Sequence, residues 1–586
     1  MAILPKALLA LALTATATAT YDASAQLVSD PYPVEFPVIS APGVDKFPMP
    51  LCNGFKLEEA TIDEIQDALS SGVLTTKQVA KCYVDRIHQT NEWINSIVEI
   101  NPDWEEIADQ LDQSRANGGA CGPLHGIPFV VKENMGSKDK METTAGSWML
   151  LGSVVPRDAH VVKKLREAGA LFLGKATMSE WADMRSNWYS EGYSARGGQA
   201  RSPYNFTVNP GGSSTGSATS VAANCITFSL GTETDGSVIN PAMRNSLVGI
   251  KPTVGLTSRA GIVPESSHQD SVGTLARNVR DAVYALDAIY GVDTRDNYTS
   301  AQVGRTPASG YAQYLTDKTA LQGATFGIPW LSFWQYADDE NKAALFDMIE
   351  LLESAGATII NGTELSNREK IVSPDGWDWD FGTTRGYPNE SEYTVVKVDF
   401  YNDVRDYLAE LGNTNIRTLQ DIVDYNNANT GTEGGIPNTH PAFESGQDGF
   451  LASLATGGNR DDTYYQALEW TQTTTRNALD DALGLRDVNA TVKPDVLLAP
   501  PDVGQSYQVA AQAGYPIITV PVGVHAGTGM AFGLSLMGSA WSEPKLVRLA
   551  SAVEDLQVTT PGNQRKRSLP EWRDYTIRNI PLHWDI

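Results

Sequence analysis

Short apolar runs alternate with segments of helical periodicity along most of this 586-residue chain. Residues 127–131 and 517–522 are typical of buried strands, and residues 61–64 have the Thr-x-x-Glu spacing that begins a capped helix. This alternation predicts an α/β protein in which helices cover a large central sheet. The predicted strands are residues 127–131, 171–173, 226–230, 325–328, 496–499, 517–522 and 532–537. The predicted helices are residues 61–72, 76–88, 160–168, 217–224, 280–289, 341–355 and 545–556.

The first 25 residues have the pattern of a secretory signal peptide. Lys6 supplies a short positive start, residues 7–13 form an apolar core, and small residues follow at 17–19 and 23–25. The apolar core is shorter than the roughly 20 residues that a membrane span needs. We therefore expect a secreted, soluble protein whose mature chain, residues 26–586, forms one domain. An ordinary apolar N-terminus is the alternative.

The charge of the chain restricts its partners. A formal net charge of −26 argues against a nucleic-acid partner, which requires a basic face. We expect neither a membrane partner nor an obligatory protein partner. Asn-x-Ser/Thr triplets agree with passage through the secretory route. The candidate glycosylation sites are Asn205, Asn297, Asn361, Asn389 and Asn489.

The four cysteines are too few for a disulfide scaffold. Cys82 lies on a predicted helix and Cys225 begins a strand-like run, so both are interpreted as buried thiols. Cys52 and Cys121 lie in loop-like segments, and one bridge between them is the expectation for an oxidising compartment. No metal-ligand spacing of Cys or His occurs, so the sequence predicts neither a metal nor a cofactor.

Residues from about 370 to 465 interrupt the alternation. They are rich in Asn, Asp, Gly and Thr and contain several aromatic residues, among them Trp377 and Trp379. We interpret them as a loop-rich insertion over one end of the sheet. Two alternatives remain open for it, a wall of the substrate cleft or a solvated decoration.

Three residues stand out as candidates for catalysis. Ser213 lies in a glycine- and serine-rich loop, residues 210–218, and Ser237 ends a second such loop, residues 231–237. Lys132 ends the apolar run of residues 126–132. A serine hydroxyl becomes a good nucleophile only when a base takes its proton, and a lysine is such a base only when burial keeps its amine neutral.

In these segments the chain resembles the amidase signature family. Residues 122–128 and 131–134 resemble the family's lysine segment, and the two serine loops have the family's spacing. Residues 249–253 and 514–521 match two further family segments. The resemblance extends from about residue 60 to about residue 556. It implies a large mixed, mostly parallel central sheet with helices on both faces, and hydrolysis of a carboxylic amide.

The resemblance also implies roles for single residues. Ser237 would be the nucleophile, Ser213 a bridging serine and Lys132 the base, with a cis peptide bond between Gly212 and Ser213. An acyl-enzyme would form on Ser237. The backbone N–H groups of the oxyanion hole would come from Thr234, Asp235, Gly236 and Ser237.

One position departs from the commonest family pattern. Many members have glycine where this chain has Asp235, so a carboxyl group lies beside the expected anion site and must point away or be paired. With aspartate at this position, the chain resembles the peptide amidase branch of the family. This resemblance favours C-terminal peptide amides as substrates, followed by aryl amides and small aliphatic amides.

Two other functions are alternatives. Residues 212–216 satisfy the Gly-x-Ser-x-Gly elbow of an α/β-hydrolase, which would make Ser214 the nucleophile of an esterase. The segment before that elbow is polar, however, and ends in Pro210, whereas an elbow follows an apolar strand. The other alternative is a non-hydrolytic relative, either an amidotransferase subunit or a binding protein. The signal peptide and the negative charge argue against the amidotransferase.

Overall fold

The computed structural model describes residues 46–487, 489, 493–561, 567–577 and 580–582. The proposed signal peptide, residues 1–25, lies outside these residues. In the part of the chain that is described, no helix is both long enough and apolar enough to cross a membrane.

Eleven of the described strands form one mixed sheet in the order β1-β3-β2-β6-β8-β7-β12-β13-β11-β9-β10, and β4 and β5 form a separate hairpin. The strands are β1 Ile97–Ile100, β2 Pro128–Lys132, β3 Leu171–Ala176, β4 Tyr193–Ser194, β5 Gly198–Gln199, β6 Phe228–Glu233, β7 Val248–Lys251, β8 Ser271–Ala276, β9 Thr325–Ile328, β10 Thr358–Asn361, β11 Val496–Ala499, β12 Ile517–Val524 and β13 Ala531–Met537. Parallel pairing occurs in the groups β3-β2-β6 and β11-β9-β10, and the other neighbours pair antiparallel. The α/β class with a large mixed sheet is confirmed, with parallel pairs confined to these two groups.

The helices pack on the sheet and extend beyond one end of it. They are α1 Ile62–Ser70, α2 Thr76–Ile94, α3 Trp104–Ala116, α4 His160–Glu167, α5 Thr215–Ala222, α6 Ile239–Arg244, α7 Val279–Ile289, α8 Asp339–Ser354, α9 Arg368–Ile371, α10 Phe381–Thr384, α11 Glu392–Glu410, α12 Leu419–Ala428, α13 Thr430–Glu433, α14 Asp448–Ala455, α15 Asp462–Ala482, α16 Gly504–Ala513 and α17 Glu543–Thr559. Each predicted strand and helix has a counterpart among these elements. The largest difference is in α2, which continues six residues beyond its predicted end at residue 88.

Local sequence explains the elements that position the later site. The capping box predicted at Thr61 is present, with Glu64 closing it. Every residue of β2 is buried, as expected for an apolar run inside a sheet, and this run ends in Lys132. Strand β8 was not predicted because its Ser, Gly and Thr residues hide the apolar pattern, although the whole strand is buried.

The insertion is more helical than the sequence indicated. Helices α10 to α14 lie within residues 370–465 and are joined by loops, so the segment contains helices that the sequence did not predict. In α11 the residues Val396, Phe400, Val404 and Leu408 recur every four positions and join a second core cluster. The many Asn, Asp and Thr residues around them masked this helical stripe in the sequence.

The cysteine pairing differs from the expectation. Cys52 is bonded to Cys82, with their Cα atoms 5.8 Å apart, whereas Cys121 is exposed and free and Cys225 is buried and free. The proposed Cys52–Cys121 bridge and the interpretation of Cys82 as a thiol are therefore wrong. The pairing depends on which turn of α2 packs against the segment around residue 52, and only the tertiary structure decides this.

The structure also separates the glycosylation candidates. Asn205 is buried, and its Nδ2 donates to the Thr528 carbonyl oxygen at 2.7 Å, so the folded chain cannot carry a glycan there. Asn297, Asn361 and Asn489 are exposed and Asn389 is half-buried. A sequon is defined by three adjacent residues and carries no information about burial. These four asparagines remain candidates.

Candidate active site

The fold brings the three catalytic candidates into one chain of hydrogen bonds. Lys132 Nζ lies 2.7 Å from Ser213 Oγ, and Ser213 Oγ lies 2.8 Å from Ser237 Oγ. Strand β2 supplies the lysine, the segment before α5 supplies Ser213, and the turn between β6 and α6 supplies Ser237. The pairing of β2 with β6 brings these segments together. The arrangement can carry a proton between the Ser237 hydroxyl and the lysine amine.

Lys132 is completely buried, and its environment makes it a usable base. Burial lowers the pKa of Lys132 to about 8, although nearby carboxyls, chiefly Asp183 and Glu265, oppose this shift. Its Nζ also donates to the Thr232 carbonyl oxygen at 3.3 Å. A pKa near 8 leaves a useful fraction of the amine neutral in mildly alkaline solution.

Ser213 is held by its backbone as well as by its hydroxyl. The Gly212–Ser213 peptide bond is cis, as the resemblance implied. Gly212 N–H donates to Asn240 Oδ1 at 3.2 Å, and the Ser213 carbonyl accepts from Ser179 N–H at 3.1 Å. A side chain at Gly212 would collide with the Glu191 carboxyl group. The bridging hydroxyl is thus fixed between its two partners.

The turn that carries Ser237 is shaped by two neighbours. Gly236 has a φ of +93°, and a Cβ atom there would run into the ring of Tyr507. The Glu233 carboxylate accepts the N–H groups of Val238 and Ile239 at 2.7 and 2.9 Å, which closes the far side of the turn. The turn therefore needs glycine at position 236 and directs Ser237 to a cavity.

Asp235, whose carboxyl group the sequence places beside the expected anion site, has a hydrogen-bond partner in the structure. Its Oδ2 accepts the indole N–H of Trp377 at 2.7 Å. Burial and the neighbouring Glu392 raise the pKa of Asp235 well above its usual range. Glu392 in turn accepts amide N–H groups from Gln508 and Gln512 at 3.0 and 2.7 Å. The Asp235 side chain is therefore hydrogen-bonded through Oδ2, and its raised pKa opposes an unpaired negative charge beside the turn that carries Ser237.

A cavity of about 630 Å³ opens in front of Ser237. Gly212, Asp235 and Gly236 line its inner end. The insertion contributes residues 374–377 and Trp379 to its wall, which favours the interpretation of this segment as part of the cleft. Aromatic side chains of Trp188, Tyr189, Tyr336 and Tyr507 also line the cavity. A cavity of this size, with several aromatic residues in its lining, has room for a ligand with a sizeable organic part.

Sequence reasoning missed the acidic residues that surround Lys132. The pKa of Glu265 is raised to about 8 by burial and by Asp270, and burial also raises the pKa of Asp183 and Glu191. The Thr234 hydroxyl oxygen lies 2.8 Å from a carboxyl oxygen of Glu265 and 2.6 Å from one of Asp270. These residues come from loops far apart in sequence, and no local motif marks them.

Ser214 has a different environment from Ser237. It is buried, and its hydroxyl donates to the Thr232 carbonyl oxygen at 3.1 Å rather than to a histidine. His525, a histidine that follows Ser214 in the chain, has a ring nitrogen within 3.4 Å of carboxyl oxygens of Asp338 and Glu340. Nothing in this geometry supports an elbow nucleophile. Among the residues described, no group of three or more His, Cys, Asp and Glu residues is arranged to hold a metal ion.

Comparison with known proteins agrees with this geometry. The amidase family profile matches residues 78–410. A Schizosaccharomyces pombe protein named as an amidase is 54% identical over 540 residues, covering 92% of this chain and 90% of its own length. The peptide amidase of Stenotrophomonas maltophilia is 34% identical with a TM-score of 0.74, covering 87% of this chain and 98% of that one. A peptide amidase solved with the competitive inhibitor chymostatin is 35% identical with a TM-score of 0.75, covering 87% and 99%.

The fold and the site thus define an amide-hydrolysing enzyme. The chain belongs to the amidase family, and peptide amidases are among its structural neighbours.

Proposed function

We propose that this enzyme hydrolyses its amide through an acyl-enzyme on Ser237, with Ser213 and Lys132 as the proton relay. The observation that carries the proposal is the continuous hydrogen-bond path from a buried amine, through Ser213, to a serine that faces a large cavity. The same path gives each of the three residues a distinct task.

In the first half of the reaction Ser237 Oγ attacks the amide carbonyl carbon. The Ser237 proton passes to Ser213 Oγ, and the Ser213 proton passes to the neutral amine of Lys132. The tetrahedral intermediate then breaks its C–N bond. The leaving nitrogen takes a proton back from Lys132 through Ser213 and departs as ammonia or an amine.

In the second half a water molecule attacks the acyl carbon and gives its proton to Lys132 by the same relay. The ester C–O bond breaks, Ser237 recovers a proton, and the carboxylic acid leaves. The negative oxygen of each intermediate would be held by the backbone N–H groups of Thr234, Asp235, Gly236 and Ser237. Loss of one such donor typically costs about 2.7–4 kcal/mol.

The substrate class that we propose is the C-terminal amide of peptides, ahead of aryl amides and small aliphatic amides. The size of the cavity and its aromatic lining support an acyl group larger than a simple aliphatic chain. The likeness to peptide amidases over most of both chains supports the same choice. The measurement that ranks these substrates is kcat/KM over a panel of peptide amides, anilides and aliphatic amides.

Labelling with a fluorophosphonate, followed by peptide mass spectrometry, tests the nucleophile. We expect the label on Ser237, and we expect Lys132→Ala to abolish it. A label on Ser214 would instead support the esterase alternative. Near-normal amide hydrolysis by Lys132→Ala would show that another group is the base.

We also propose that the enzyme is secreted, with residues 1–25 removed and some of the sequons at Asn297, Asn361, Asn389 and Asn489 occupied. The Cys52–Cys82 bridge supports an oxidising compartment. N-terminal sequencing and intact-mass analysis of protein from the culture medium test this. An uncleaved N-terminus on protein found only inside cells would overturn it.

The non-hydrolytic alternative has less support. A net charge of −26 is unfavourable for a complex with transfer RNA, and the hydrogen-bonded relay has no evident purpose in a binding protein.

A further inference from the structure

Arg244 is a cavity-lining cation that the reaction does not use. It ends helix α6, which begins two residues after Ser237, and both residues line the same cavity. Its Nη1 donates to the Asn209 carbonyl oxygen at 2.7 Å. Within the described part of the chain, its Nε has no hydrogen-bond partner.

Arg244 is half-buried at the cavity wall. Burial lowers the pKa of Arg244, but a guanidinium group stays protonated in proteins. A charge that is partly removed from water is stabilised by hydrogen-bond acceptors. Tyr507, Glu191 and Asp502 oppose this shift of the Arg244 pKa, but burial raises the pKa of both acids and favours their neutral forms. The cavity therefore presents a permanently charged donor, bonded to Asn209 through Nη1, whose Nε has no acceptor among the described residues.

The spacing from Ser237 fits a peptide. Arg244 follows Ser237 by seven residues, which is about 10 Å along a helix at 1.5 Å per residue. An extended peptide covers about the same distance in three residues. A second cavity of about 370 Å³ adjoins the first and shares Arg244, Tyr336 and Asp502 with it, so a longer acyl chain has room to continue.

We propose that Arg244 is a specificity residue that donates hydrogen bonds to a backbone carbonyl oxygen of the acyl part, two or three residues before the scissile amide. The inference rests on the proposed action on peptide amides and adds where such a substrate is recognised. It follows that amides with upstream peptide carbonyls are better substrates than amides without them.

A purely structural role for Arg244 predicts a different experimental result. Its bond to Asn209 holds the segment just before the loop that carries Ser213. If that were its only task, replacing it would slow hydrolysis of every amide by the same factor. If it binds the acyl part, the loss is confined to substrates with an upstream carbonyl.

The experiment compares 4-methylpentanamide, N-acetyl-leucinamide and N-acetyl-alanyl-leucinamide, which share one leucine-like side chain and add carbonyl groups in steps. For the wild-type enzyme we expect kcat/KM to rise along the series. For Arg244→Met we expect roughly a tenfold to hundredfold loss on the longest substrate, the range of a hydrogen bond to a charged group, and little change on 4-methylpentanamide. Arg244→Lys should recover part of the loss.

The matched control is Arg157→Met, which removes a surface arginine paired with Glu410 and should leave all three values unchanged. Equal losses by Arg244→Met on all three substrates would overturn the inference and leave the amidase function intact. A wild-type enzyme that hydrolyses the three amides equally well would do the same. Failure of the wild-type enzyme to hydrolyse any of them would overturn the substrate proposal and this inference with it.

Discussion

At the scale of single residues, the proposed chemistry depends on the environment of one amine, that of Lys132. Lys132 occupies the end of a fully buried strand, and burial moves its pKa to about 8 despite the carboxyls around it. A lysine accepts a proton only in its neutral form, which predominates above its pKa. The amine is therefore protonated for the most part in acid.

We accordingly predict that kcat/KM for an amide rises with pH and levels off above about pH 8. Lys132→Ala should lose roughly 10²–10⁴-fold in kcat/KM and also lose this rise. Initial rates of the wild-type enzyme and of Lys132→Ala, measured between pH 6 and 10, test both predictions. A flat profile in the wild-type enzyme over this range would exclude Lys132 as the base.

Gly236 gives a second prediction at this scale. Its φ of +93° and its contact with the Tyr507 ring leave no room for a side chain, so Gly236→Ala should move the nucleophile turn. A displacement of about 1 Å at an active site costs on the order of 10²-fold in rate. We expect that loss in kcat while the circular dichroism spectrum stays native.

The control for this variant is Gly362→Ala. Gly362 has a φ of +77° but no atom within 4 Å of an added Cβ, so it tests backbone strain without the collision. It should retain wild-type kcat. An equal loss of activity in both variants would show that strain, not the position of Ser237, accounts for the effect.

At the scale of elements, the disulfide joins the segment before α1 to the middle of α2. The bridge closes a loop with a sequence separation of 30 residues, for which loop-closure entropy gives roughly 3–4 kcal/mol. We predict that Cys82→Ser lowers the free energy of unfolding by about that amount and lowers the urea midpoint.

Cys121→Ser is the matched substitution, since Cys121 is exposed and free, and it should leave the urea midpoint unchanged. Thiol titration of the unfolded wild-type protein should find two free thiols rather than four. Four free thiols, or an unchanged midpoint in Cys82→Ser, would contradict the bridge.

At the scale of the whole molecule, buried acids make stability depend on pH in an unusual direction. Burial raises the pKa of Asp281 and Asp403 to about 6 and that of Glu265, Glu433 and Glu554 to about 8. These groups bind protons more tightly in the folded state than in the unfolded chain. Their contribution to stability is complete below the unfolded pKa near 4 and is lost as pH rises through the folded values.

We therefore predict a higher Tm at pH 5 than at pH 8, and the net charge of −26 acts in the same direction through self-repulsion. Glu59 opposes this trend only in stronger acid. Burial tends to raise its pKa, but pairing with Arg567 outweighs burial and lowers the value to about 2. Differential scanning calorimetry between pH 4 and 9 measures the effect. A Tm that rises steadily from pH 5 to pH 8 would show that these acids are ionised in the folded state.

Some features of the whole fold were predictable from the sequence, and others were not. Apolar runs and capping signals located seven of the described strands and seven of the described helices because their causes are local. The motifs around Lys132, Ser213 and Ser237 predicted three side chains that the structure joins by hydrogen bonds, because glycine-rich turns and an apolar run that ends in lysine are visible in adjacent residues. The helices of the insertion were not predicted because many polar residues lie between the apolar residues of their buried faces.

The sequence by itself determined the class of the fold and the family, and it singled out the three residues of the proposed relay. Only the tertiary structure decided that Cys82 pairs with Cys52, that Asp235 is held by Trp377, and that Arg244 lines the cavity of Ser237. Each of these contacts joins residues whose pairing no local pattern marks. Their energies come from desolvation and close packing, which exist only once the distant segments of the chain are assembled.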